Sequence, residues 1–314
     1  MLDVAFRRLL SIFPVLFVIS LVTFALIHII PGDAAIVIAG PDASLDQVAS
    51  VRTLLGLDRP LHVQLGVWFW NLLHADLGNS FMLGRSVIQA IGERLPVSLL
   101  LTGYSIVLTM PIGIAAGLLA AYHQNSWIDT AVMSSALLGV SVPSFWLSIV
   151  GILLFSEKLG WLPTSGYVPL NESVVGCIRS LTLPAASLAV FQIGLLARMT
   201  RATALEVLRQ DFIRTARAKG VPEWRTVARH ALSNIMIPIV TVIGLLISVA
   251  LAGAVVIEQI FVLPGLGQLM VQGILRRDYP VIQGAILAVA VLLVFINLVV
   301  DLLYVYLDPR LRQS

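Results

Sequence analysis

The stretch RATALEVLRQDFIRTARAKGVPEWRTVARHALSN, Arg201 to Asn234, is a polar, basic island between long apolar runs. With Arg198 just before it, the island gathers eight basic residues in a chain of 314 that is 58% hydrophobic and 12% charged. That charged share is about half of the ~25% usual in soluble domains, too little to cover a globule in water. The chain therefore belongs in a bilayer, and the island marks a place where it leaves one.

Working outward from the island, a membrane helix needs about 20 mainly apolar residues. Leu183 to Met199 precedes the island and is the weakest such run; its helix is expected to continue into the island. Ile235 to Ile257 follows. Leu9 to Ile30, Val97 to Ala121, Ala131 to Phe155 and Val281 to Tyr304 complete a set of six. The first run is about 22 residues, longer than the apolar core of a secretory signal, and should stay attached. With both termini in the cytoplasm, twelve basic and six acidic residues fall inside, against eight basic and ten acidic outside. That orientation satisfies the positive-inside rule, and the opposite one violates it. The same asymmetry accounts for the net charge of +3 without nucleic acid.

Within the island, Leu205, Leu208, Phe212 and Ala216 recur every three or four residues, which predicts one helical face packed against the bundle. Gln210, Arg214 and Arg217 point the other way. Gly220 can take positive φ and stop that helix, and Pro222 is preset for the first turn of another. Trp224, Val227 and Ala231 form the second helix's apolar stripe, opposite Arg225 and Arg229. An ordinary basic loop needs no glycine between two amphipathic helices. Lipid patches are usually denser in Lys and Arg, and Asp211 and Glu223 interrupt this one. No nucleic-acid module is present.

The segment Pro31 to Pro96 is too long for a turn and reads as a small extracytoplasmic subdomain. Ser44 with Gln47 makes a capping box before Val48, Val51, Leu54 and Leu55, and Pro60 can open a second helix. Trp68, Phe69 and Trp70 read as an aromatic belt at headgroup level, with a docking surface as the alternative.

Polar residues inside the spans are candidates for a solute path, because lipid penalises them: Thr102, Ser105, Ser141, Ser144, Gln192, Thr241, Ser248 and Asn297. Small hydroxyls also bond backbone carbonyls or admit close helix contact. Glu258 and Asp301 sit at span ends, where a carboxylate can reach water or a cation. Cys177 is the one cysteine, and no Cys/His cluster has metal-ligand spacing. His28 and His230 lack catalytic partners. No phosphate-binding Gly-Lys loop occurs, and Pro264-Gly265-Leu266-Gly267 reads as a tight turn. A secondary transporter would need midplane charges or broken helices and usually a repeat. Pro143 can break the third span and Pro111 bend the second, but no repeat is found. Nothing suggests a channel's re-entrant filter.

The island resembles the cytoplasmic signature of inner-membrane permeases of ATP-binding-cassette importers, in the branch that carries dipeptides, oligopeptides, nickel chelates, glutathione and related solutes. The general signature is Glu-Ala-Ala, then Gly, then Ile-x-Leu-Pro. Aligned on Gly220, the triplet falls on Arg214, Thr215 and Ala216, and the last element on His230, Ala231, Leu232 and Ser233. The acid, one alanine, the isoleucine and the proline thus depart from the pattern, whereas the run Thr215 to Gly220, TARAKG, is usual for the peptide branch. Ile30-Pro31-Gly32-Asp33, Leu55-Gly56-Leu57-Asp58-Arg59-Pro60 and Ala75-Asp76-Leu77-Gly78-Asn79-Ser80 resemble the branch's other signatures. So do Glu258-Gln259-Ile260-Phe261, Pro264-Gly265-Leu266-Gly267, Arg277-Asp278-Tyr279-Pro280, Asn297, Asp301 and Asp308-Pro309-Arg310.

The resemblance implies an all-α membrane protein of six transmembrane helices, the type I importer permease fold, with both termini cytoplasmic. It divides the chain into 1–96, a first helix plus extracytoplasmic segment; 97–305, the transmembrane domain with its coupling loop 200–234; and 306–314, a cytoplasmic tail. It implies a permease, not an enzyme, in a bacterial inner membrane. Expected partners are a homologous second permease, two cytoplasmic ATPase subunits that hold ATP and Mg, and an extracytoplasmic solute-binding protein. Cofactors and metals are expected to be absent from this chain. Residues expected to couple to the ATPase are Arg214, Thr215, Ala216, Arg217, Lys219, Gly220, Pro222, Trp224 and Arg225. Ser141, Ser144, Gln192, Thr241, Ser248 and Asn297 are the expected path residues.

Overall fold

Apolar runs of this length satisfy their backbone polar groups internally only as helices or closed barrels, and this chain takes the first course. The computed structural model describes residues 2–29, 34–40, 43–54, 56–222, 225–226 and 231–307. Among these the secondary structure is helical, apart from one isolated bridge between Asn79 and Ser86. In chain order the helices are α1 (Leu2–Ile29), α2 (Ala34–Ala39), α3 (Leu45–Leu54), α4 (Leu61–Leu73), α5 (Val87–Tyr122) and α6 (Trp127–Ser141). There follow α7 (Ser144–Gly151) with a π-helical continuation (Ile152–Lys158), α8 (Val174–Leu208), α9 (Asp211–Ala218), α10 (Leu232–Ile260), α11 (Leu266–Arg276) and α12 (Tyr279–Leu307).

Among the described residues, four helical segments are long and apolar enough to cross a membrane: Val87–Tyr122, Val174–Leu208, Asn234–Ile260 and Tyr279–Val300. A fifth arises if α6 and α7 with its continuation count as one span, although they meet at 96°. The expected span from Ala131 to Phe155 is thus broken at Pro143, the position the sequence marks as a breaker. Val142 is extended at φ −84° and ψ 124°, and Pro143 at φ −63° caps α7 without a backbone N–H to continue the ladder. The fourth expected span does run on into the island, as α8, a single helix of 35 residues. Its start is set by Ser173, whose Oγ accepts the Gly176 N–H at 3.0 Å.

The chain forms two compact units, one of Ser98–Leu263 with the chain from Phe295, the other of Phe6–Val97 with Pro264–Val294. In the first, Leu196, Ala204 and Val207 of α8, Ile213 of α9, Ile106 of α5 and Ala231, Ile235, Ile239 and Leu246 of α10 make one buried cluster. α6 and α8 touch backbone to backbone: a Cβ on Gly194 would lie 2.4 Å from the Ala136 carbonyl oxygen. Only glycine permits that approach.

In the second unit, Val87, Ala90 and Ile91 pack on Leu266, Leu269 and Val281. Two of the sequence signatures meet here. Buried Asp278 accepts from Ser80 Oγ at 2.5 Å and from the Met82 N–H at 3.1 Å, and Ser80 Oγ accepts the Leu83 N–H at 2.8 Å. The Ser44–Gln47 capping box forms as read, with Ser44 N–H donating to Gln47 Oε1 at 2.8 Å and Gln47 N–H to Ser44 Oγ at 3.3 Å. Of the apolar residues that follow it, Val48 and Val51 are half-buried and Leu54 is 86% exposed. Leu55 lies outside the described residues. The Trp68 to Trp70 cluster is tied to α1, with Trp68 Nε1 donating to Ser20 Oγ at 3.0 Å and Phe69 stacked on Phe17 at 5.3 Å.

Candidate functional site

The island is built from the end of α8, a break, α9 and a glycine turn. α8 stops at Leu208, where Arg209 caps it and Gln210 turns extended before Asp211 opens α9. The break resets the helical phase, so the face expected from Leu205 through Ala216 is not one face. Leu205 and Leu208 pack on the core from α8, but on α9 the buried residues are Ile213 and Ala216, and Phe212 is exposed.

α9 ends as the sequence predicts. Gly220 takes φ +75°, its N–H donates to Arg217 O at 2.9 Å, and the Val221 N–H donates to Ala216 O at 3.2 Å. This pairing is a Schellman closure, which satisfies the last carbonyls and reverses the chain. The N–H groups of Arg225 and Thr226 donate to Pro222 O at 2.9 and 3.0 Å. Arg214, Thr215, Arg217, Lys219, Pro222 and Arg225 are exposed, while Ala216 faces the core. Arg214 pairs loosely with Asp211 at 3.4 Å, and Thr215 Oγ1 donates to Asp211 O at 2.9 Å. Glu223, Trp224, Val227, Arg229 and His230 lie outside the described residues.

Within the same unit, the α6–α7 bend opens a cavity of about 310 Å³. Its walls are the bend from Val140 to Ser144, then Leu188, Phe191 and Gln192 of α8 and Val249, Ala250 and Gly253 of α10. Three expected path residues, Ser141, Ser144 and Gln192, therefore meet. Ser248 is half-buried beside this wall with its Oγ on Gly244 O at 3.3 Å, and Thr241 and Asn297 are exposed away from it. Gln192 is almost wholly buried and is held from behind by α5. Its Nε2 donates to Ser105 Oγ at 3.3 Å and its Oε1 accepts from Thr109 Oγ1 at 3.4 Å. Thr109 was not among the sequence candidates; its spacing of four from Ser105 and seven from Thr102 on α5 is the signal that could have found it. The cavity is of small-solute size, apolar with a few convergent polar groups.

Glu258 does not reach water. It is fully buried on α10 and accepts from Ser98 Oγ at 2.5 Å. Asp301 belongs to α12, but its side chain lies outside the described ones. An ion pair that no spacing in the sequence signals, with a buried carboxylate and a half-buried guanidinium, joins α6 to α8. Arg201 donates from Nε and Nη2 to the two carboxylate oxygens of Asp129, each at 2.6 Å.

The chain matches the family described as binding-protein-dependent transport system inner membrane component over residues 113–313, and the N-terminal region of the same family of membrane components over residues 1–102. It belongs to that family. A putative peptide transport system permease protein of Brucella abortus is 54% identical over 308 residues, covering 98% of each chain. The glutathione transport system permease protein GsiC of Escherichia coli O6:H1 is 43% identical over all of both chains. The dipeptide transport system permease protein DppB of Alkalihalophilus pseudofirmus is 41% identical, covering 99% of this chain and 100% of that one. In fold, the chain is similar to a chain of the methionine transporter MetNI in an inward-facing crystal form, at 18% identity and a TM-score of 0.55 over 71% of this chain and 96% of that one. This transport family makes the chain the membrane permease subunit of an ATP-binding-cassette importer. Hydrolysis belongs to a separate subunit.

Proposed function

We propose that this permease imports peptides or similar small solutes across a bacterial inner membrane through the cavity at the α6–α7 bend. Separate ATPase subunits drive it at the Gly220 elbow. One observation carries the reading: α8 is a single helix that holds Gln192 on the cavity wall and ends in the island that leads to the elbow. A push on the elbow and a change at the cavity are then two ends of one rigid element.

In this reading α1 and the bent α6–α7 pair are both spans, giving six, with both termini inside as the basic residues dictate. The exposed face of Arg214, Thr215, Arg217 and Lys219, with Gly220, Pro222, Trp224 and Arg225, enters a groove on an ATPase subunit, and Ala216 seats α9 on the bundle. Ser141, Ser144 and Gln192 line the path first; Thr241, Ser248 and Asn297 line it in another state or against a homologous second permease. Two ATPase subunits hold the ATP and Mg, and an extracytoplasmic binding protein delivers the solute. The names of the Brucella, DppB and GsiC relatives support a peptide-type solute.

The test is to assemble this chain with candidate ATPase, second permease and binding-protein subunits and measure ATP hydrolysis with and without solute-loaded binding protein. Stimulation by peptide-loaded binding protein is the expected result. Equal hydrolysis with empty and loaded binding protein, across the candidate solutes, would contradict it.

A further inference from the structure

We infer that Asp129 and Arg201 clamp α6 to α8 so that movement of the elbow reaches the cavity wall; both are positioning residues for transport. This inference rests on the ATP-driven reading above. α6 ends at Ser141, on the cavity's rim, and begins at Trp127 beside Asp129. Twelve residues of helix separate Asp129 from Ser141, a lever of about 18 Å at 1.5 Å per residue. α8 carries Gln192 on the cavity wall and Arg201 nine residues closer to the elbow.

The carboxylate of Asp129 gathers three elements. Arg201 binds both of its oxygens, and the Asn125 N–H donates to Oδ2 at 3.0 Å from the turn between α5 and α6. The Asp129 N–H in turn donates to Ser126 Oγ at 3.4 Å, capping α6. Asn125 stands at φ +62°, a conformation that asparagine tolerates better than most side chains. The two-bonded fork fixes orientation as well as distance, which a single ammonium would not do. Farther along the same helix pair, the contact of Gly194 with the Ala136 carbonyl blocks sliding between clamp and cavity. At the elbow end, Ile213 joins α9 to the cluster of Ala204 and Val207 on α8. The path is therefore elbow, α9, α8, clamp, α6 and cavity rim, and every joint in it is a close contact.

A bond that served only to hold the fold together would, when cut, reduce the assembled complex or lower hydrolysis and transport together. A coupling clamp would lower the solute moved per ATP. The complete complex in proteoliposomes is therefore compared as wild type, Asp129→Asn, Arg201→Lys and Arg85→Gln, with uptake and hydrolysis measured on the same vesicles. Asp129→Asn should lower solute per ATP by about fivefold or more, in the range of residues on a coupling path. Arg201→Lys, which keeps the charge and loses the fork, should lower it by about twofold. Arg85→Gln opens the exposed Arg85–Glu93 pair and should leave the ratio unchanged.

An unchanged ratio in both clamp variants overturns the clamp, as does a parallel fall in uptake and hydrolysis. If Asp129→Asn fails to assemble, Arg201→Lys decides alone. A wild-type complex without solute-stimulated hydrolysis contradicts the ATP-driven reading itself and removes the clamp with it.

Discussion

Within this chain, a side chain at Gly220 meets no steric obstacle among the described residues. Among the described residues no heavy atom lies within 4 Å of the position its Cβ would take, so within this chain the backbone conformation is what opposes a side chain there. Holding φ at +75° costs an ordinary L-residue about 1–2 kcal/mol, more for a β-branched one and less for asparagine. Since about 1.4 kcal/mol is tenfold in an equilibrium constant, alanine shifts the elbow's balance by about fivefold and valine by about thirtyfold. Such costs are small beside the ~5–15 kcal/mol that holds a domain together, so the chain still inserts and assembles. Solute moved per ATP, measured by paired uptake and phosphate release in proteoliposomes, should fall in the order Gly, Asn, Ala, Val. The two factors are upper bounds for Ala and Val, and basal hydrolysis should be unchanged. A Gly220→Val complex as well coupled as wild type, or Asn and Val variants equally uncoupled, would refute the role given to the left-handed elbow.

Other changes test the packing. Val262, 57% exposed and β-branched at φ +53°, closes α10 with its N–H on Gln259 O, so Val262→Gly should stabilise by about 1 kcal/mol and raise the unfolding temperature in detergent. A lowered temperature would show that the side chain supplies more than the strain removes. Gly194→Ala should cost about 1–3 kcal/mol by forcing α6 off α8, and unchanged thermal unfolding would mean the two backbones are not in contact. Ser80→Ala should cost about 1.5–3 kcal/mol by stripping a bond from the buried Asp278 carboxylate, read by the same unfolding measurement; a neutral result would argue that Asp278 is solvated.

Local rules carried well where one element decided the outcome. The capping box at Ser44 and Gln47, the positive φ of Gly220 and the run of α8 into the island follow from residues within one or two turns of each other. Periodicity failed where the chain changed phase. The break at Arg209 and Gln210 put Ile213 rather than Phe212 toward the core, because a 3.6-residue period cannot be carried across an extended residue. Pro143 was legible as a breaker, but the 96° bend and the cavity it opens depend on α8 and α10 standing behind it.

Pairing between distant segments was not legible. Ser98 reaches Glu258 and Arg201 reaches Asp129 across 160 and 72 residues, and no spacing rule links either pair. Glu258 consequently reads as a carboxylate at a span end, able to reach water or a cation, whereas in the fold it is fully buried and accepts from Ser98 Oγ. The candidate path divides along the same line. Ser141, Ser144 and Gln192 converge because the bend and α8 bring them together, whereas Thr241 and Asn297 met the same criterion of polarity within a span without sharing that wall.

The central claim is that work done on the elbow by ATPase subunits moves solute through the α6–α7 cavity. Its most direct test is solute uptake into proteoliposomes carrying the full assembly, with ATP supplied to the ATPase side and no ion gradient, beside vesicles carrying this chain alone under a proton gradient. The account expects uptake in the first that requires ATP and the solute-binding protein, and none in the second. Gradient-driven uptake by the chain alone, with no response to ATP in the assembly, would contradict it.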